Sequence, residues 1–155
     1  MQDIKILVVD DEPEIREIIL LFLGFQYQGE FVEAENALDA IQKIKEQGPF
    51  QLIVSDFNMP KANGLVLYQY LKNNHMETPF TLVTSDQLED HPEFMNQPLT
   101  NYIQKPFNEE TFLKEINSLL DLVGTEFKRD HEYIPISIHT LKRIKNINCP
   151  IYIRL

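Results

Sequence analysis

Alternation is the feature that most restricts what this chain can fold into. Short, apolar, β-branched runs take turns with segments whose apolar residues recur at helical spacing. The first run, "IKILVVD" at 4–10, is almost continuously apolar, as a parallel strand covered on both faces must be. "DEPEIREIILLFL" follows it. Pro13 suits a first helical turn, Glu12, Glu14 and Glu17 suit a helix N-terminus, and Ile15, Ile18, Ile19 and Phe22 share one face. Gly24 is expected to end that helix. Leu20, Leu21 and Leu23 exceed a single apolar stripe, and read either as core at a crowded helix end or as a docking patch. "GEFVEAEN" (29–36) reads as a second strand, and Asn36 as the cap of "ALDAIQKIKEQ", with Ala37, Ile41 and Ile44 inward. Gly48-Pro49 breaks the chain before a third strand, "FQLIVSD" (50–56). A helix entered through Asn63-Gly64, a fourth strand "PFTLVTSD" (79–86) and a short fifth, "NYIQ" (101–104), come next. The last helix, 108–123, is capped by Asn108 and turns Phe112, Ile116, Leu119 and Leu120 inward. By alternation "QLEDHPEFMNQPL" (87–99) should hold a helix too, but Pro92 and Pro98 restrict it to short pieces.

This order dictates an α/β domain with a parallel sheet and right-handed crossovers. Ligands of such sheets bind beyond the carboxyl ends of the strands, so the residues ending each strand matter most. Asp10-Asp11 end the first, Asp56 the third, Thr84-Ser85 the fourth and Lys105-Pro106 the fifth. Two like charges ~4 Å apart cost about 4 kcal/mol at an effective dielectric of ~20, so three carboxylates on one edge need compensation. A hard divalent cation would provide it, and a few carboxylate ligands completed by water suit Mg²⁺ rather than Zn²⁺. Lys105 adds a fixed positive charge and Thr84 a hydroxyl donor. A carboxylate facing a metal, an ammonium and a hydroxyl suits phosphoryl transfer, with the carboxylate attacking phosphorus.

Charge narrows the partners. Residues 1–123 carry 8 Lys and Arg against 21 Asp and Glu, a net −13, which argues against direct nucleic-acid binding by this part. Residues 124–155 carry 6 against 3, a net +3. The longest apolar run, Ile18 to Phe25, is too short to span a bilayer, and the N-terminus has no signal-peptide pattern. One cysteine, Cys149, allows no internal disulfide and fits a cytoplasmic location. His75, His91, His131 and His139 show no ligand spacing and read as surface residues.

The motifs "VVDDEP", "SDFNMP", "NGL", "LVTS" and "YIQKPF", in this order and at these distances, resemble those of the receiver domain of two-component response regulators over about residues 3–123. The resemblance implies a doubly wound, five-stranded, flavodoxin-like parallel sheet in the order 2-1-3-4-5. It implies Asp56 as phosphoacceptor, with Asp10, Asp11, Asp56 and the backbone carbonyl of Asn58 holding Mg²⁺. Lys105 would contact the phosphoryl group, Thr84 would bond one of its oxygens, and Tyr102 would be the switch aromatic. Pro60 and Gly64 would shape the loop after Asp56, and Pro106 would follow a cis bond that aims Lys105. Asn58 and Asp86 occupy positions that tune phosphate lifetime in the family, and Ser85 stands where alanine is common. The implied partners are a histidine kinase or phosphotransfer protein, and a second copy docked through the 87–123 face. Such a protein is no enzyme beyond catalysing its own phosphorylation and dephosphorylation.

Two other readings stay open on the sequence. One is a receiver-like module that binds partners without being phosphorylated. The other is a phosphohydrolase of the haloacid-dehalogenase type, which expects a second Asp two residues after its nucleophile; here Asn58 takes that place. On the receiver reading, residues 1–123 form the receiver and 124–155 a linker and the beginning of an output region. There "YIPISI" and "PIYIRL" have strand pattern and "HTLKRIKNI" helix pattern, too little to bury a core, so the output domain is expected to continue past Leu155.

Overall fold

In a computed structural model, residues 3–124 are described. The expectations for the tail, including its two strands, its helix, His131 and His139, lie outside those residues. The element order is β1 (Ile4–Val9), α1 (Pro13–Gln26), β2 (Gly29–Ala34), α2 (Ala37–Gln47), β3 (Leu52–Asp56), α3 (Gly64–Asn73), β4 (Phe80–Thr84), two 3-10 turns (Leu88–Asp90 and Pro92–Phe94), β5 (Thr100–Gln104) and α4 (Glu109–Val123). All strand pairings are parallel and the sheet order is β2-β1-β3-β4-β5, the flavodoxin-like order.

Two apolar layers cover the sheet, and alternate residues of each strand serve them. Ile4, Ile6 and Val8 of β1 pack with Ile15, Ile18, Ile19, Phe22 and Leu23 of α1 and with Phe112, Ile116, Leu119 and Leu120 of α4. Leu7 and Val9 face the other way, toward Ala37, Ala40 and Ile44 of α2 and Leu67, Tyr68 and Leu71 of α3. Leu23 is buried, while Leu20 and Leu21 are half-buried. Asn36, Asn63 and Asn108 each accept an amide of the first turn they precede, from Asp39 (3.0 Å), Val66 (3.2 Å) and Thr111 (2.8 Å).

Two expectations are corrected. Gly24 does not end α1. The helix continues to Gln26 because the next residue, Tyr27, is buried in the core and its amide bonds Leu23 O at 2.9 Å. His91 is no surface residue: it is buried, whereas His75 is exposed. The 87–99 crossover forms only short pieces, as its prolines require, and Phe94 is its core anchor.

Candidate functional site

Register builds the site. Val9 pairs with Ser55, so Asp10 and Asp56 leave neighbouring strands at the same level. Asp56 pairs with Val83, and Thr84 with Gln104, which brings Thr84 and Lys105 to the same edge. The Lys105 amide donates to Thr84 O at 2.8 Å, and the Lys105–Pro106 bond is cis.

The carboxylates of Asp10, Asp11 and Asp56 each place an oxygen within 4.8 Å of the others. Asp10 and Asp56 are buried and Asp11 is exposed. Lys105 Nζ lies between the buried pair, 3.0 Å from Asp10 Oδ2 and 3.2 Å from Asp56 Oδ1. The other Asp10 oxygen, Oδ1, accepts the Glu12 amide at 2.9 Å, and Arg16 Nη1 donates to the Asp10 carbonyl at 2.6 Å.

Burial pushes the Asp56 carboxyl up to about 6; Lys105 opposes this and Asp10 reinforces it. Burial raises Asp10 also, again against the pull of Lys105. Burial disfavours the Lys105 charge, but Asp10 and Asp56 outweigh it and hold the ammonium above its ordinary pKa. One ammonium therefore leaves the paired carboxylates under-compensated. Hard oxygen donors with excess negative charge are the donor set that Mg²⁺ takes, so these residues fit that ion.

Glycine is required at 64 for close approach. A Cβ there would stand 2.6 Å from the Asp56 carbonyl oxygen and 3.1 Å from Phe57 Cα. The Gly64 amide donates to Phe57 O at 2.9 Å, so α3 starts directly on the backbone that carries Asp56. In the intervening loop Pro60 is exposed, its carbonyl accepts the Ala62 amide at 2.9 Å, and Lys61 has a φ of 69°. Met59 tucks into the core beside it.

Thr84 is fully buried and its Oγ1 accepts the Asp86 amide at 3.3 Å. Tyr102 is half-buried and its hydroxyl donates to the Asp86 carbonyl. Burial, helped by Asp86, Glu89 and Asp90, raises the Tyr102 phenol. The Asn58 side chain is exposed and reaches Asp86 rather than the carboxylates. All the residues expected at the strand ends thus share one edge. Sequence reasoning missed Arg16, which holds the Asp10 backbone, and His91, which bonds Asp86. A histidine ahead of Pro92 and Phe94 in an aperiodic segment was the only available signal for His91.

The family model of the response regulator receiver domain matches residues 6–117. The chain is 29% identical to response regulator protein PilR of Pseudomonas aeruginosa over 125 residues, which are 80% of this chain and 26% of PilR. It thus spans about a quarter of PilR. It is 30% identical to chemotaxis protein CheY1 of Helicobacter pylori over 122 residues, 75% of this chain and 96% of CheY1. Among solved structures, chemotaxis response regulator CheY4 of Vibrio cholerae matches with a TM-score of 0.67 and 27% identity, covering 76% of this chain and 99% of that one. Response regulator protein TrrA of Thermotoga maritima, solved in complex with Mg²⁺ and BeF, matches with a TM-score of 0.64 and 28% identity over 77% of this chain and 99% of its own. No helix among the described residues is long and apolar enough to cross a membrane.

Proposed function

Because this chain belongs to the response regulator receiver family, we propose that Asp56 accepts a phosphoryl group within a two-component phosphorelay, from a histidine kinase or phosphotransfer protein. The observation that carries this reading is Lys105 Nζ held 3.2 Å from Asp56 Oδ1 at the edge where Asp10 and Asp11 converge. An Asp56 oxygen attacks phosphorus while the bond from phosphorus to the donor's imidazole nitrogen breaks, and that nitrogen keeps the electron pair. Lys105 stays protonated and faces a phosphoryl oxygen. Asp10, Asp11, Asp56 and the Asn58 carbonyl would hold Mg²⁺, which would supply further positive charge to the transferred group.

The new group adds about −1.5 to −2 charge and three acceptor oxygens. Thr84 turns its hydroxyl toward one of them, and Tyr102 follows into the space vacated. The face formed by residues 87–99, β5 and α4 then changes its population of shapes. Met95, Leu122 and Val123 are exposed along residues 87–123, which supports this stretch as the contact for an output partner or a second copy. The protein works in the cytoplasm, turns over no substrate beyond its own aspartyl phosphate, and its acidic receiver does not bind nucleic acid.

The test is incubation with Mg²⁺ and acetyl phosphate, followed by intact-mass measurement. One hydroxylamine-labile phosphoryl group, lost in Asp56→Asn, supports the reading. Multiple turnover of phosphoesters would favour a phosphohydrolase, and no Mg²⁺-dependent adduct would favour an unmodified interaction module.

A further inference from the structure

Asp86 is a hub whose fourth contact the phosphoacceptor reading does not use. Its amide and carbonyl engage Thr84 and Tyr102. Its carboxylate Oδ2 receives Asn58 Nδ2 at 2.8 Å and His91 Nε2 at 3.0 Å. An ionised carboxylate only accepts, so His91 Nε2 carries the proton. His91 as a whole is 4% exposed. Its ring lies on Phe57, the residue after Asp56, with centroids 3.9 Å apart, and Phe94 meets it edge-on at 6.3 Å. Glu93 Oε1 is 4.0 Å from Nδ1.

Packing therefore fixes the imidazole, the imidazole fixes the Asp86 carboxylate, and that carboxylate fixes the Asn58 amide. Asn58 follows β3 and Asp86 follows β4, which are neighbouring strands. The bridge between them crosses the gap between the two loops beside Asp56. We propose that His91 is a positioning residue for this site: it clamps the Asn58–Asp86 bridge closed and so slows the attack of water on phosphorylated Asp56. In that hydrolysis the water oxygen bonds to phosphorus as the bond to the Asp56 oxygen breaks. The carboxylate is regenerated, and inorganic phosphate and one proton are released. The inference rests on Asp56 being the phosphoacceptor.

Two variants separate the hydrogen bond from the packing. His91→Phe keeps an aromatic ring on Phe57 and deletes the donor. His91→Gln loses the ring and places an amide N–H where Nε2 stood. The half-life of the phosphorylated protein, prepared with Mg²⁺ and acetyl phosphate and then freed of donor, is the readout. Loss of one charge-assisted hydrogen bond predicts a half-life about three- to tenfold shorter in His91→Phe, and one near the parent value in His91→Gln. Asp86→Ala should shorten it similarly, and adding His91→Phe to Asp86→Ala should change nothing further. An unchanged half-life in His91→Phe, loss in His91→Gln alone, or additive effects would overturn the proposal. If the parent protein takes up no hydroxylamine-labile phosphate, the phosphoacceptor reading itself fails and this inference falls with it.

Discussion

Asp56→Asn should make the metal-free protein more stable, although it removes an ion pair. The Asp56 side chain is buried, and burial together with Asp10 outweighs Lys105, leaving its carboxyl at about 6 against an ordinary 3.8. The folded protein therefore holds this proton more tightly than the unfolded chain does. The cost of ionising Asp56 is fully present above about pH 6 and disappears as pH falls through the unfolded value. At 1.36 kcal/mol per pH step, the gap corresponds to about 3 kcal/mol. Asparagine has the shape of the protonated acid and never ionises. Urea unfolding in EDTA should show a gain of about 3 kcal/mol at pH 7.5 and about 1 kcal/mol at pH 4.5. With a urea m-value of roughly 1–3 kcal/mol/M, the midpoint at pH 7.5 moves up by about 1–3 M. Mg²⁺ should narrow the difference by stabilising the parent protein more than the variant. An asparagine variant no more stable than the parent at pH 7.5, or one whose advantage is the same at both pH values, would refute the electrostatic account.

Other expectations follow from the same geometry. Lys105→Met removes the ammonium that opposes the rise of Asp10 and Asp56, so it should abolish labelling by acetyl phosphate and shift both carboxyl titrations, read by ¹³C NMR, to higher pH. Gly64→Ala forces a methyl group against the Asp56 carbonyl, which should cost about 1–3 kcal/mol in urea unfolding and slow phosphorylation. Asn108→Ala deletes the cap on Thr111 and should cost about 1 kcal/mol without altering the labelling rate, because α4 contributes no side chain to the strand-end edge.

The sheet and the acidic edge were legible because strands buried on both faces leave few ways to read "IKILVVD" or "FQLIVSD". A carboxylate ending such a run has to lie at the sheet's carboxyl edge, and parallel register then brings Asp10 beside Asp56 without further information. Gly24 misled because a glycine signals a helix end only when the chain has no reason to continue. Here Tyr27 had to reach the core, and an exposed glycine inside α1 costs only about 1 kcal/mol. His91 was illegible for a different reason. Phe57 belongs to another loop, Asp86 lies five residues earlier in the same aperiodic crossover, and that segment has no period to say which side faces inward. Side-chain contacts between aperiodic loops leave no trace in spacing.

The β4–β5 crossover has a consequence for how this face is read by others. A full helix there would carry a continuous ladder of backbone bonds and an apolar stripe. The two 3-10 turns carry isolated bonds, from Asp90 to Gln87, His91 to Leu88, Phe94 to His91 and Met95 to Pro92. Their hold on the core is through Phe94 and His91. Local opening of this crossover requires only part of the free energy of global unfolding, so its amides should exchange with solvent ahead of those in α1 or α4. For any partner that recognises one shape of this crossover, affinity would scale with the fraction of time the crossover spends in that shape.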